Sequence, residues 1–355
     1  MDTHGKFSAS TLIIFGLFVA LMPFFRLAVG TAEPRETLSS VPSAVLTEVD
    51  IGAATAESTA PTVYAEGAVL IDGKSREILF SHGCDRILPM ASTTKIMTAL
   101  VAAELLSPDD YVKVPKDADG IEGSSIYLEA GETVSVKTLL YGLMLESGND
   151  AATALAVLSC GSVDAFAEKM NEKAQSLGLT STHFTNPHGL PDDSHHTTAY
   201  ELAVIASAAL ENKTVAEAVS TQSAVMGGEN SEKRRYFTNH NKLLRLYDGA
   251  CGVKTGFTKA AGRCLVSAAE RDGTLLIAVT LGCPDDWNAH TAMLDYGFDN
   301  FKSVNVLPEG GIDLSPFGLP CEKQKAVWRT LSKNAAPTLT YSVRYENGET
   351  EVRVK

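Results

Sequence analysis

Three short motifs constrain the fold of this chain more strongly than any other part of its sequence. In chain order they are Ser92-Thr93-Thr94-Lys95, Ser147-Gly148-Asn149 and Lys254-Thr255-Gly256. Each motif is common by chance when it stands alone. All three in this order, each in a fitting structural context, predict that distant parts of the chain meet at one cleft.

The first motif lies at the predicted start of an amphipathic helix. Apolar residues follow Ser92 at helical intervals as far as Leu106, so the helix buries one face. Ser92 and Lys95 are three residues apart, which places the amine beside the hydroxyl. A serine hydroxyl needs a base to become a good nucleophile, and lysine is a base only when burial or another cation lowers its pKa. Lys254 could supply that second charge. The alternative is that Ser92 only caps the helix and Lys95 is solvated.

The second motif joins two predicted helices. Their apolar patterns run from Val136 to Leu145 and from Ala151 to Leu158. Gly148 is predicted to end the first helix, and Asn149 or Asp150 to cap the second. Such a joint directs a hydroxyl and an amide toward a cleft, whereas the alternative interpretation is plain capping.

The third motif lies on a predicted strand. Three apolar runs separated by turn residues predict an antiparallel meander, namely Ala250 to Thr255, Cys264 to Ala269 and Leu275 to Leu281. Gly256 would let a substrate backbone approach closely. Because an exposed strand beside a cleft binds extended peptides by backbone pairing, this strand favours a peptide-like substrate.

The strand and helix patterns together predict an α+β fold. A hairpin between residues 66 and 80 precedes the first motif, and helices dominate from about residue 92 to 225. We therefore expect an antiparallel sheet flanked by helices, with a long helical insertion between its strands.

These features resemble the D-alanyl-D-alanine carboxypeptidases among the low-molecular-mass penicillin-binding proteins. The resemblance covers roughly residues 62–303. Besides the three motifs, four segments resemble the family at their usual places, Glu122–Leu128, Thr185–Leu190, Thr238–Leu244 and Gly252–Gly256. The resemblance implies a β-lactamase/transpeptidase-like α+β fold and an acyl-enzyme mechanism with no cofactor and no metal. The substrate would be a peptidoglycan stem peptide ending in D-Ala-D-Ala, and β-lactam antibiotics would inhibit the enzyme.

The same resemblance assigns the catalytic roles. Ser92 would attack the carbonyl between the last two D-alanines, with Lys95 as the general base. Ser147 would relay a proton to the leaving amine. Asn149 would orient Lys95 and bind the substrate amide.

The resemblance also implies how the substrate is bound. Lys254 would supply positive charge to the Ser147 hydroxyl and to the substrate carboxylate, which Thr255 would also contact. Gly256 gives the substrate backbone room. The backbone N–H groups of Ser92 and Phe257 would form an oxyanion hole. Loss of one donor from such a hole costs roughly 2.7–4 kcal/mol of barrier.

Two departures from the family pattern affect carboxylate binding. Some relatives have a histidine where this chain has Phe257, and some have an arginine after the last core strand. Residues 283–287 here read Cys-Pro-Asp-Asp-Trp, without a basic side chain. Carboxylate binding would then depend on Lys254, Thr255 or another cation such as Arg263.

Two other functions remain open on the sequence. A class A β-lactamase has the same motif types, but it also needs a glutamate for deacylation, normally within Glu-x-x-Leu-Asn. That pattern does not occur between Asn149 and Lys254. The other alternative is a non-catalytic penicillin-binding or sensing module of the cell wall, which would tolerate the loss of catalytic residues. All the core residues are present here.

The N-terminal sequence predicts secretion to the cell wall. Lys6, an apolar run of about 14 residues and a small-residue site predict that residues 1–30 are a cleavable signal peptide. An uncleaved membrane anchor is the less favoured alternative. Residues 31–61 are predicted to be a disordered spacer because they are rich in Ala, Thr, Ser, Glu and Pro. The net charge of −13 argues against nucleic acid as a partner.

The cysteines and histidines show no spacing typical of a metal site. A disulfide between Cys264 and Cys283 is one interpretation, and buried free thiols are the favoured one. Four histidines lie within a polar loop, which favours solvated side chains over zinc ligands; they are His183, His188, His195 and His196.

The C-terminal residues 304–355 are predicted to form a small, abbreviated β-rich region. Thr338 to Arg344 and Glu349 to Val354 alternate apolar and polar residues around Asn347-Gly348, which predicts a hairpin. The last residues lack the pattern of an amphipathic helix, so no C-terminal membrane anchor is expected.

Overall fold

The structure is a computed structural model, and it describes residues 56, 58–230, 232–307, 325–335, 339–345 and 348–354. The predicted signal peptide and nearly all of the predicted spacer lie outside the described residues. No single helix of the described ranges is long and apolar enough to cross a membrane. Two consecutive helices, over residues 149–160 and 163–176, are together long and apolar enough, but the chain bends by 83° between them.

Thirteen strands belong to the described part of the chain. In chain order they are β1 Gly67–Asp72, β2 Ile78–His82, β3 Tyr111–Lys113, β4 Thr133–Ser135, β5 Ser223–Met226, β6 Arg235–Thr238, β7 Ala250–Thr258, β8 Gly262–Arg271, β9 Thr274–Leu281, β10 Phe301–Leu307, β11 Val327–Ser332, β12 Leu339–Tyr345 and β13 Gly348–Val354.

The helices lie mainly between β2 and β7, which confirms the predicted helical insertion. In chain order they are α1 Lys95–Leu105, α2 Val136–Leu145, α3 Asn149–Cys160, α4 Val163–Ser176, α5 Ala199–Glu211, α6 Lys213–Ser220, α7 Leu243–Leu246 and α8 Asp286–Asn300. A 3-10 turn over Ala91–Thr94 leads into α1.

A five-stranded antiparallel sheet with the order β2-β1-β9-β8-β7 forms the centre of the molecule. Its inner strands are buried on both faces because α5 packs on one side and α8 on the other. Alternate residues of β9 therefore enter two separate cores. Ile277 and Val279 join the helical insertion, while Leu276 and Ala278 pack with Met293 of α8. The predicted α+β fold is confirmed.

Strand β7 carries the third motif at the edge of this sheet, directly against the turn that holds Ser92. A Cβ atom added to Gly256 would lie 3.1 Å from the backbone nitrogens of both Ser92 and Thr93. A side chain there would force the strand and the turn apart. The absence of a side chain at Gly256 thus allows the first and third motifs to meet.

Two smaller hairpins follow the central sheet along the chain. Strand β10 pairs with β11, and β12 pairs with β13 over Leu339–Tyr345 and Gly348–Val354. The second pair corresponds to the hairpin predicted around Asn347-Gly348.

Candidate active site

Ser92 lies in the 3-10 turn, one turn before α1, rather than in the first turn of the α-helix itself. The turn begins at Ala91, whose φ of +47° is unusual for a residue with a Cβ atom. Hydrogen bonds hold it in place, because the Thr94 hydroxyl donates to the Ala91 carbonyl at 2.8 Å. Ser92 is therefore presented by a constrained backbone.

The Lys95 amine contacts Ser92 of the first motif and Asn149 of the second. Its Nζ donates to Ser92 Oγ at 3.0 Å, to Asn149 Oδ1 at 2.7 Å and to the His188 carbonyl at 2.6 Å. The side chain is completely buried. The contact with the His188 carbonyl was not predicted, because a backbone oxygen leaves no signal in the sequence.

Burial lowers the pKa of Lys95 well below its ordinary value, and the positive charge of Lys254 lowers it further. The carboxylate of Asp150 opposes this shift. A lysine with a lowered pKa spends part of its time as a neutral amine, whose lone pair can accept the proton of the Ser92 hydroxyl.

The second motif joins α2 and α3 differently from the prediction. Ser147 takes the left-handed conformation, with φ of +64°, whereas Gly148 has φ of −58° and occupies the N-cap position of α3. No side chain caps that helix through its N-cap residue. The prediction that Gly148 ends the first helix and that Asn149 or Asp150 caps the second is therefore wrong.

The side chains of Asn149 and Asp150 are buried, and they form hydrogen bonds within the interior instead of capping the helix. Asn149 accepts from Lys95 through Oδ1 and donates through Nδ2 to the Glu122 carbonyl at 2.6 Å. Gly123 must be a glycine here, because its φ is +96° and an added Cβ atom would lie 2.6 Å from Asn149 Nδ2.

The Asp150 carboxylate anchors the loop that follows Glu122. It accepts from the Ser125 hydroxyl at 2.6 Å and from the backbone N–H groups of Ile126 and Leu128 at 3.0 and 3.1 Å. Sequence reasoning missed this function because a buried carboxylate that binds backbone N–H groups has the same local pattern as a helix cap.

Lys254 is also buried, and its Nζ donates to the Thr255 carbonyl at 3.0 Å. Burial lowers the pKa of Lys254 to about 7, against a raising effect of Glu146. Within the described ranges, no hydrogen bond joins Lys254 to Ser147. Thr255 is partly buried beside it, and Phe257 is 66% exposed at the rim of the cleft.

Arg263, the cation suggested for carboxylate binding, is already paired. Its Nε and Nη2 donate to the two carboxylate oxygens of Asp286 at 3.0 and 2.9 Å. A bidentate pair of this kind is among the stronger ionic contacts in proteins.

One of the loop histidines is buried against the first motif, so the prediction of solvated histidines is wrong at that position. His195 is 4% exposed, its Nε2 lies 2.7 Å from Thr94 Oγ1, and its Nδ1 accepts from the Thr185 N–H at 3.0 Å. Of the other three, His183 is exposed, and His188 and His196 are partly buried. The loop is polar in composition, so the sequence did not show that His195 packs against the turn before α1.

Cys264 and Cys283 are buried free thiols, as favoured by the sequence. Burial raises the pKa of the Cys264 thiol to about 11. Within the described residues, no group of His, Cys, Asp and Glu side chains could hold a metal ion.

Comparison with known proteins agrees with this geometry. Residues 54–285 match peptidase family S11, described as D-alanyl-D-alanine carboxypeptidase. The D-alanyl-D-alanine carboxypeptidase DacF of Bacillus subtilis (strain 168) is 37% identical over 247 residues, which are 67% of this chain and 63% of the relative. The alignment thus spans less than two thirds of that relative's length.

Two further proteins match a larger share of their own chains. The D-alanyl-D-alanine carboxypeptidase DacB2 of Mycobacterium tuberculosis is 36% identical over 67% of this chain and 84% of its own. The crystal structure of the Streptomyces K15 DD-transpeptidase superposes with a TM-score of 0.64 at 35% identity, covering 68% of this chain and 99% of that one. By its motifs, its fold and these matches, the chain belongs to the D-alanyl-D-alanine carboxypeptidase family of serine peptidases.

Proposed function

We propose that the protein is a serine D,D-carboxypeptidase that removes the terminal D-alanine from peptidoglycan stem peptides. The observation that carries this proposal is the fully buried Lys95 amine, which contacts Ser92 Oγ at 3.0 Å and is held by Asn149 Oδ1 at 2.7 Å. Such an amine can act as the base that a serine nucleophile needs.

In the acylation step, Ser92 Oγ attacks the carbonyl carbon between the last two D-alanines and gives its proton to Lys95. The carbonyl oxygen becomes an oxyanion, which the N–H groups of Ser92 and Phe257 bind. The C–N bond then breaks, and the amine of the leaving D-alanine receives a proton through Ser147. An ester between Ser92 and the shortened peptide remains, and water hydrolyses it.

The remaining site residues bind the substrate. Asn149 uses Oδ1 for Lys95 and one N–H of Nδ2 for the Glu122 carbonyl, so the second N–H of Nδ2 is left for a substrate carbonyl. Lys254 and Thr255 attract the terminal carboxylate, and Gly256 allows the peptide to lie along β7.

The Streptomyces K15 relative is a DD-transpeptidase, which suggests a second fate for the acyl-enzyme. An amine in place of water would then yield a new peptide bond. Adding an amino acceptor to the peptide assay distinguishes the two, because hydrolysis releases the shortened peptide and transfer yields the acceptor adduct.

We propose the same organisation of the chain as the sequence indicated. Residues 1–30 form a cleavable signal peptide, 31–61 a spacer, 62–303 the penicillin-binding catalytic domain and 304–355 a small β-rich region. The enzyme would act outside the cytoplasm at the cell wall, where its substrate is located. Mass spectrometry of the protein secreted by its native cells gives the mature N-terminus. An N-terminus close to residue 31 supports the proposed cleavage, and an intact Met1 contradicts it.

The function is tested with fluorescent penicillin and with a D-Ala-D-Ala peptide. We expect stable labelling of Ser92, release of D-alanine, and loss of both in Ser92→Ala. Rapid antibiotic turnover would indicate a β-lactamase instead, and an absence of both reactions would indicate a binding module. Because the chain lacks the β-lactamase deacylation motif, the penicilloyl-enzyme should persist at least about 10²-fold longer than one peptide cycle.

A further inference from the structure

The terminal carboxylate of the substrate needs positive charge, and the cations already described supply that charge incompletely. Lys254 is buried and has a pKa of about 7, so its charge is only partial at neutral pH. Arg263 is held by both oxygens of Asp286. A further group beside the cleft that can carry a positive charge would complete the binding of the carboxylate.

Residues 238–241 connect the two walls of the cleft. The backbone N–H of Thr238 donates to Glu146 Oε1 at 2.6 Å, and Glu146 directly precedes Ser147. At the other end, Asn241 Nδ2 donates to the carbonyl of Gly252 on β7 at 2.7 Å, two residues before Lys254. The segment therefore lies between the second and the third motif.

Thr238 and His240 are the exposed residues of this segment, and His240 is the one that can carry a positive charge. Its neighbours Asn239 and Asn241 are 3% and 1% exposed, and their amides bind backbone carbonyls of the interior. His240 keeps half of its side chain exposed, and its Nε2 lies 3.6 Å from Glu146 Oε2. Glu146 directly precedes Ser147, so this contact places the imidazole beside the second motif.

The charged groups that act on His240 are Lys254 and Glu146. Partial burial and the charge of Lys254 lower the pKa of His240 from its ordinary value, while Glu146 raises it. Without substrate the imidazole is therefore largely neutral at pH 7. An incoming carboxylate adds a negative charge, which favours the protonated imidazole.

We propose that His240 is a substrate-binding residue, which recognises the terminal carboxylate of the peptide together with Lys254 and takes up a proton as that carboxylate binds. This inference rests on the proposed carboxypeptidase function. It assigns to a histidine the positive charge that some relatives supply from an arginine after the last core strand.

Selectivity between a free carboxylate and an amide measures this role directly. The ratio of kcat/KM for a peptide ending in D-Ala-D-Ala to kcat/KM for the same peptide with a C-terminal amide cancels the protonation of Lys95, which both reactions share. At pH 6 the ratio should fall about ten- to a hundredfold in His240→Gln, since a hydrogen bond to a charged group is lost. At pH 8.5, where the imidazole is neutral, His240→Gln should change the ratio much less.

Two further variants complete this experiment. His240→Lys restores a cation and should recover the ratio at pH 6. His183→Gln removes an exposed histidine whose Nδ1 contacts the Ser194 carbonyl, and it should behave like the parent. If the ratio of kcat/KM for the carboxylate peptide to that for the amide peptide is the same in His240→Gln and the parent at pH 6, the inference is overturned.

The proposed function is tested separately. It is wrong if penicillin does not label the parent at Ser92 and the parent does not release D-alanine.

A measurement on folded protein with His240 intact covers the case in which His240→Gln does not fold. In Ser92→Ala, which cannot be acylated at Ser92, the imidazole resonances are followed by NMR at pH 6.5 while peptide is added. The carboxylate peptide should shift one imidazole toward the protonated form, and the amide should not. An absence of any such shift at saturating carboxylate peptide also overturns the inference.

Discussion

The Nε2 atom of His195 lies 2.7 Å from the Oγ1 atom of Thr94, which is inside the Ser-x-x-Lys motif. Thr94 already donates its hydroxyl hydrogen to the Ala91 carbonyl, so it must accept from Nε2–H. The Nδ1 atom then accepts from the Thr185 N–H. A neutral histidine thus links the 185–195 loop to the turn that contains Ser92.

Replacing His195 should affect acylation through the position of that turn. In His195→Ala the Thr94 hydroxyl and the Thr185 N–H lose their partners, and we expect penicillin acylation of Ser92 to slow by about tenfold or more. His195→Gln should recover most of the rate, because its amide has one donor and one acceptor for the same two partners. Stopped-flow labelling measures the rate, with the exposed His183→Gln as control. Equal rates in His195→Ala and the parent would contradict this positioning role.

Acidification should destabilise the protein through its buried neutral histidines. Burial lowers the pKa of His195 to about 4 and that of His290 to about 3, against an ordinary value of 6.5. The unfolded chain therefore binds more protons between these values, so stability is lost as the pH falls from about 6.5 toward 4. Each such histidine contributes a slope of up to about 1.4 kcal/mol per pH unit.

Urea unfolding at several pH values between 7 and 4.5 measures this slope. Carboxylates also titrate in part of the range, so the difference between the parent and His195→Gln isolates one histidine. In the variant, the free energy of unfolding should change less steeply with pH, by up to about 1.4 kcal/mol per pH unit, which corresponds to one proton. An identical slope in both proteins would mean that His195 is protonated equally in the folded and unfolded states.

Replacing each of the two lysines of the site by arginine should reduce the acylation rate to different extents. Lys95→Arg keeps a cation but cannot become neutral, so acylation should fall by about 10²–10⁴-fold. Lys254→Arg keeps the charge and should react more slowly but measurably. In the parent, acylation should rise with pH through an apparent pKa well below 10.4, which belongs to the coupled pair. If both variants acylate at the same rate, Lys95 is not the base.

The Asp150 carboxylate should be needed both for stability and for the shape of the cleft. Asp150→Asn replaces one acceptor oxygen by an NH2 group that faces the N–H donors of Ile126 and Leu128. We expect a loss of about 1–3 kcal/mol in the free energy of unfolding, together with slower acylation. Asp299→Asn, at an exposed carboxylate far along the chain, serves as the matched control in denaturant unfolding. Unchanged stability of Asp150→Asn would show that the loop does not depend on this anchor.

The sequence alone determined the main strands and helices of the catalytic fold and the order of its motifs. Apolar periodicity is set by local geometry, so the meander, the helical insertion and the strand position of Lys254 were all predicted. The three-residue spacing of Ser92 and Lys95 likewise implied their contact, which the structure gives as 3.0 Å although Ser92 lies in the 3-10 turn before α1.

Only the tertiary structure decided which groups complete the site. The His188 carbonyl on Lys95, the buried His195 beneath Thr94 and the Asp150 anchor all join residues far apart in sequence. Local sequence patterns do not predict such partners. Every residue type has the same backbone carbonyl, and the composition of a polar loop does not show whether the loop is solvated or buried. The left-handed Ser147 was missed for a related reason. Local preference favours Gly148 for that conformation, whereas the buried contacts of Asn149 and Asp150 fix the turn one residue earlier.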